Sequence, residues 1–304
     1  MKAALCKRIV GFALLGLIVS ETSASAALVS YWPFDTVTAG TTPDSAPGGS
    51  NTGTVDSGAT ATSGLIGSGA LSFDNTSAAS VGVGNSLAGG PTGIAIEALV
   101  KLPAAGNWAL AGGPTQYDEV LRKEDGNTRI LFSFQNDSFN TAPAPAGVPV
   151  LSLGLNIGGT YAELDMPLDG QSGRPSIAGL ENSVHHIVGS YDVASGLAAI
   201  YVDGALAFSK SYPASSALAT SSGAGTAVAA IGNISVGGGE PFQGVLDEVA
   251  FYNSPLSATT VSAHYANVQA GQNYFAAVPE PASAVAAFVG LIALVAIGRR
   301  RSYS

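Results

Sequence analysis

The stretch from His185 to Lys210 constrains the fold of this chain more than any other. His185 to Tyr191, Leu197 to Val202 and Ala205 to Lys210 are runs rich in β-branched, aromatic and small apolar residues. Asp203-Gly204 separates the last two. An Asp-Gly pair between such runs signals a two-residue hairpin, because a type I′ turn requires φ > 0 at both central positions. Asp192 to Gly196 supplies a looser turn before Leu197, so the reading is a three-strand antiparallel meander.

Similar punctuation recurs along the chain. Leu28 to Phe34, Ala70 to Phe73, Ser80 to Val83, Gly93 to Lys101 and Gln243 to Tyr252 read as strands. In Gly93 to Lys101, Ile94, Ile96 and Ala98 are expected to face inward. Glu119 to Lys123 and Arg129 to Gln135 read as a hairpin around Asp125-Gly126-Asn127. Thr36 to Gly69 is a Gly/Ser/Thr-rich connection with one weak strand at most. Pro143, Pro145 and Pro149 exclude a central strand between Asp137 and Pro149, since proline cannot donate to a ladder. A short helix is expected after Ser257, its N-cap, with Val261, Tyr265 and Val268 at i, i+4 and i+7.

The two ends carry different signals. Lys2, Lys7 and Arg8 precede an apolar run from Ile9 to Val19, and Ala24-Ser25-Ala26 is a small-residue cleavage site. Residues 1–26 are therefore expected to be a signal peptide cut after Ala26. At the other end Pro279, Glu280 and Pro281 close a linker over 271–281. An apolar run over 282–298, read as a transmembrane helix, and a basic tail over 299–304 with Arg299, Arg300 and Arg301 follow. At about 1.5 Å per residue that run falls just short of a hydrocarbon core of about 30 Å, and the arginines belong on the cytoplasmic side.

The chain's single cysteine, Cys6, lies in the signal peptide. A disulfide framework, a thiolate nucleophile and a cysteine zinc site are not available to the remainder. The net charge is −9, and most basic residues of the ends would leave with them, so the middle is more acidic still. Such a field disfavours nucleic acid and suits calcium or a neutral polysaccharide.

The Pro-Glu-Pro element, apolar run and arginines resemble the PEP-CTERM sorting signal of Gram-negative bacteria. That resemblance implies processing by an exosortase-type enzyme as well as signal peptidase, with an exported, cell-surface or extracellular product. Between the ends, ordered stretches resemble the LamG-like, concanavalin A-like jelly roll. They include Tyr31 to Asp35, Asp44 to Gly53, Gly69 to Asp74, Ile96 to Lys101, Val184 to Asp192, Ile200 to Gly204 and Gly244 to Tyr252. The implied fold is all-β, a two-sheet antiparallel sandwich over 27–270 with one short C-terminal helix. One departure is Val184, where the family has tryptophan before its histidine pair.

Candidate chemistry is sparse. Asp118-Glu119 with Glu124-Asp125 form an acidic cluster, read as solvated surface beside Arg122 and Lys123. Asp247 and Glu248 are adjacent and are expected to face opposite sides of their strand, which would prevent a glycosidase pair. His185 and His186 are likewise expected on opposite sides, and with His264 on the helix a histidine metal site is not expected. If the terminal strands pair, as the resemblance implies, Asp35 and Asp247 are a candidate structural calcium site. Trp108 and Tyr117 are the candidate aromatic platform for a glycan, with Tyr161 a weaker one. Together these features lead to an expectation of a non-catalytic, surface-sorted binding or adhesion protein associated with extracellular polysaccharide. The alternatives are a secreted glycoside hydrolase or lyase on the same fold and a purely structural surface component.

Overall fold

The computed structural model describes residues 27–104, 117–125, 128–136, 148–219 and 227–276. The first strands are β1 (Leu28–Trp32), β2 (Thr41–Thr42), β3 (Gly53–Val55), β4 (Ala59–Thr62), β5 (Ala70–Asp74) and β6 (Val81–Gly82). They are followed by β7 (Gly93–Lys101), β8 (Tyr117–Lys123), β9 (Ile130–Gln135), β10 (Val150–Ile157) and β11 (Thr160–Pro167). After one turn of helix, α1 (Ile177–Leu180), come β12 (Val184–Asp192), β13 (Leu197–Val202), β14 (Ala205–Ser211), β15 (Ala230–Ile231), β16 (Gln243–Tyr252) and α2 (Ala258–Gln269).

These strands make two antiparallel sheets. The first runs β14-β13-β12-β7-β16-β5-β4, and the second runs β11-β10-β9-β8-β15-β6-β3-β2. Strand β16 is the keel of the first sheet. One of its edges pairs with β7, while the other takes β5 along Gln243 to Leu246 and β1 along Val249 to Tyr252. The start and end of the domain are thus neighbours in one ladder.

Alternation along the strands assigns each residue to a face. In β7, Ile94, Ile96, Ala98 and Val100 enter the core between the sheets, as expected from the sequence, with Trp32, Phe132, Phe134, Leu153, Ile200 and Phe251. The opposite set, Ala95 and Leu99, joins Tyr31, Val188, Tyr252, Leu256, Val261, Val268 and Tyr274 in a second cluster on the outer side of the first sheet. Helix α2 and the segment after it cover that side.

The Asp-Gly turn closes as a type I′ hairpin, with φ of 51° at Asp203 and 77° at Gly204. A second hairpin, β10–β11, turns through Gly158 and Gly159 at φ 59° and 85°. It was not among the strands read from sequence, although Leu151, Leu153, Leu155 and Ile157 alternate into the core. The Thr36 to Gly69 connection holds β2, β3 and β4 in place of a single weak strand. Their Thr, Ala and Gly side chains give little alternation to detect.

Ser257 caps α2, its Oγ accepting the Thr260 N–H at 3.1 Å. The buried face is Val261, His264, Asn267 and Val268; Tyr265 is half-exposed. The helix is rotated so that a histidine points at the sheet. Tyr274, in the stretch read as linker, is buried with its ring stacked on His264 at 5.5 Å. The expected signal peptide and the 282–298 run lie outside the described residues, among which no helix is long and apolar enough to cross a membrane.

Gly204 combines positive φ with crowding, because a Cβ there would meet the Tyr265 side chain at 2.8 Å. Gly204→Val is expected to lower the unfolding free energy by about 1–3 kcal/mol, read from the urea midpoint at constant m.

Candidate functional site

The outer side of the first sheet centres on Glu97, which is fully buried. Its Oε1 meets His186 Nε2 at 2.7 Å and His264 Nδ1 at 2.9 Å, and its Oε2 accepts the Tyr252 hydroxyl at 2.6 Å. The sequence brings these together through three elements: β12 pairs β7, β16 pairs β7 from the other edge, and α2 lies across them. Burial alone would raise the carboxyl's pKa. The imidazole hydrogen bonds and charges outweigh it and hold the pKa down at about 2. Contrary to the expectation that His264 stands apart, two of the three histidines converge on one carboxylate. Each spends a ring nitrogen on it, and among the described residues no group of His, Cys, Asp and Glu is arranged to hold a metal.

Beside this network, β16 carries a bulge between Asp247 and Ala250, with Glu248 at φ 52°. The extra residue cancels one step of alternation, so Asp247 and Glu248 both leave the strand on the side of the outer cluster. That corrects the expectation that they face opposite ways. The Glu248 carboxyl takes a short hydrogen bond from the Tyr31 hydroxyl. Desolvation, reinforced by the neighbouring carboxylates, pushes Asp247 up to about 7 and Glu248 to about 8.

Asp35 and Asp247 do approach the same loop, but as N–H acceptors. Asp35 Oδ1 accepts from Ser68 N at 2.5 Å and Gly69 N at 3.0 Å. Asp247 Oδ2 accepts from Leu65 N at 2.9 Å and Ile66 N at 3.2 Å, and Oδ1 from Glu248 N at 2.8 Å. Calcium requires six to eight oxygens aimed at one point. A pair engaged by backbone N–H groups does not fit that demand.

The outer face of the second sheet carries the other polar cluster. Glu119, Ser133, Ser152 and Asp165 lie in register across β8, β9, β10 and β11, and all four are buried. A bulge between Glu119 and Leu121 keeps Arg122 on this face as well. Arg122 Nη1 donates to Glu119 at 2.9 Å and its Nη2 to Glu124 at 2.7 Å; Arg129 Nη2 reaches the other oxygen of Glu124 at 2.5 Å. The Arg129 guanidinium sits 4.4 Å over the Tyr161 ring, and the Tyr161 hydroxyl donates to Glu163 at 2.5 Å. Gly154 makes room for that ring, since a Cβ there would lie 2.3 Å from the Tyr161 oxygen.

The acidic cluster read as solvated surface is therefore largely internal. Asp118 accepts the Gln243 N–H at 2.9 Å, and Lys123 donates to the Leu87 carbonyl at 2.8 Å, both from buried positions. Burial raises the Glu119 carboxyl well above its usual range, Arg122 opposing, with a hydrogen bond to the Glu240 carboxyl adding to the rise.

Of the expected glycan contacts, Tyr117 opens β8, half-buried, two residues before Glu119 and so on the same face. Trp108 lies outside the described residues, as do Ala26, Pro279, Glu280, Pro281, Arg299, Arg300 and Arg301. Tyr161, the weaker of the expected aromatic residues, has Glu163 on its own strand and Arg129 from just before β9 as partners. The Gly158-Gly159 turn beside it was the available signal.

Two stacked antiparallel sheets with the terminal strands paired at the keel define a jelly-roll sandwich. The chain belongs to the concanavalin A-like lectin/glucanases superfamily, whose sequence pattern matches residues 73–262. No curated protein sequence matches it. The fold is similar to the binding domain of Paraclostridial Mosquitocidal Protein 1, with 14% identity over 79% of this chain and 52% of that one, TM-score 0.55. Domain 4 of AbnA, a GH43 extracellular arabinanase from Geobacillus stearothermophilus in complex with arabinotriose, matches at 18% identity over 78% and 97%, TM-score 0.51. The botulinum neurotoxin serotype D ligand binding domain in complex with N-acetylneuraminic acid matches at 12% identity over 79% and 51%, TM-score 0.52. The chain spans about half the length of the toxin domains.

Two predictions follow the electrostatics. Glu97→Gln removes the charge that three donors share, and its loss is expected to cost about 3–5 kcal/mol in chemical denaturation. For pH, Glu97 has a depressed pKa, so its contribution is complete above its unfolded value near 4.5 and fades as pH falls toward 2. Asp247 and Glu248 have raised pKa values, so theirs is complete below about 4 and lost as pH rises through 7 to 8. Stability should peak at about pH 4–5, with the melting temperature falling by roughly 5–10 °C between pH 5 and 9. Asp247→Asn with Glu248→Gln should flatten that alkaline decline in a differential scanning calorimetry series.

Proposed function

We propose that this chain is a non-catalytic carbohydrate-binding protein of the cell surface, with an extracellular polysaccharide as its ligand. The observation that carries the reading is the Arg129–Tyr161–Glu163 group at the solvent-reaching end of the second sheet's outer face. A half-buried tyrosine under a fixed guanidinium and beside a carboxylate offers directed hydrogen bonds and the exposed part of a ring, which a pyranose or furanose can use. Tyr117 extends the same face along β8. The non-catalytic reading is supported by Glu119, a buried carboxyl of this face, being engaged by Arg122 Nη1 at 2.9 Å.

Superfamily membership is compatible with this reading but does not by itself specify a ligand. The arabinanase domain solved with arabinotriose and the neurotoxin domain solved with N-acetylneuraminic acid are carbohydrate complexes on the same fold. The delivery route in this proposal is export by the N-terminal signal and sorting through the Pro279-Glu280-Pro281 tail, with signal peptidase and an exosortase-type enzyme as processing partners.

A glycan array with a parallel assay for released reducing ends tests the proposal. Binding to at least one polysaccharide without turnover is expected, with Tyr161→Ala weakening it about tenfold, a loss of about 1.4 kcal/mol. Turnover of any polymer would make the chain a hydrolase or lyase. An empty array with self-association would make it a structural coat component.

A further inference from the structure

A cleft of about 670 Å³ opens on the other side of the molecule, where β1, the loop after it, α2 and the segment following α2 meet. Its size falls within the range of small-molecule sites, about 300–1,000 Å³. The aromatic part of its wall is Tyr31, Tyr252 and Phe275. The Phe275 ring stands edge-on to Tyr31 at 5.0 Å and lies 5.8 Å from His264. Phe275 is 44% exposed, an unusual position for a phenylalanine that contacts three other rings.

The polar part of the wall has a consistent character. Asp35 contributes a carboxylate whose position is set by the Ser68 and Gly69 N–H groups on Oδ1. His264, held by Nδ1 on the Glu97 carboxylate, adds its ring to the wall. Among the described residues, neither lysine nor arginine lines the cleft. Acceptors and ring faces without a fixed cation are complementary to one kind of ligand head: a positive group that donates hydrogen bonds.

We propose that this cleft binds a small organic ligand bearing a primary ammonium group, which pairs with Asp35 while the apolar body packs against Phe275 and Tyr31. The site is separate from the Arg129–Tyr161 face and does not depend on its ligand. An anionic ligand is disfavoured by Asp35, and a neutral one gains no ion pair with the carboxylate.

Isothermal titration of the full exported chain, in buffer containing a chelator, decides the matter. Phenethylamine, phenethyl alcohol and phenylacetate serve as the cationic, neutral and anionic probes of one shape. Phenethylamine is expected to bind at least about tenfold more tightly than the alcohol, and phenylacetate not to bind. In Asp35→Asn the amide keeps the oxygen that accepts from Ser68 and Gly69, and the preference for the amine should vanish. Phe275→Ala removes a ring that is 44% exposed, and should weaken amine and alcohol alike by about tenfold. An amine that binds no better than the alcohol, a preference that survives Asp35→Asn, or affinities unchanged in Phe275→Ala would each overturn the proposal.

Discussion

A carboxylate taken out of water must be matched by donors or it will not stay charged, and Glu97 meets that condition by drawing donors from three elements. His186 comes from β12, Tyr252 from β16 and His264 from α2. The middle of β7 is thereby tied to both of its neighbours in the sheet and to the helix above. Everything on the outer side of the first sheet takes its position from this tie. Helix α2 shows its histidine face to the sheet, Tyr274 stacks on that histidine, and Phe275 is left at the rim of the cleft. The bulge at Glu248 brings two further carboxyls to the same side, both largely desolvated, so this layer holds opposing titrations within a few residues of one another.

Much of the fold was legible because its signals are local. Gly93–Lys101, Leu197–Val202 and Gln243–Tyr252 have the bounds that alternation and turn chemistry indicate, and Ser257 caps the helix as read. The short strands between Thr41 and Thr62 were obscured by composition, since threonine, alanine and glycine blur the contrast between faces. The β10–β11 hairpin is a different case: its alternating leucines and Gly-Gly turn were available and were passed over. Of the polar clusters, almost nothing could be read. Glu97 is flanked by apolar residues in a strand, and its partners are 89, 155 and 167 residues away. The bulges at Glu119 and Asp247 decide which way acidic residues point, and neither has a glycine to mark it.

The two outer faces have different physical characters. On the second sheet, charges compensate one another in a chain from Glu119 through Arg122, Glu124 and Arg129 to Tyr161, leaving a flat polar surface at its half-buried end. On the first sheet, aromatic rings and a carboxylate line a concavity that has no lysine or arginine among the described residues. A polysaccharide with many hydroxyls matches the former, and a compact cationic ligand the latter. The two proposed surfaces share the core of one sandwich but no side chains.

The state of Glu97 is the point on which this description turns, and it is open to direct observation. Carbon-detected NMR on protein labelled at glutamate, followed from pH 7 to pH 2.5 with Glu97→Gln as the assignment control, reports its ionisation. The account predicts a carboxylate shift for Glu97 that stays constant while exposed glutamates titrate near 4.3, changing only as the fold itself begins to fail. A Glu97 resonance titrating at or above that value, with α2 still in place, would contradict it.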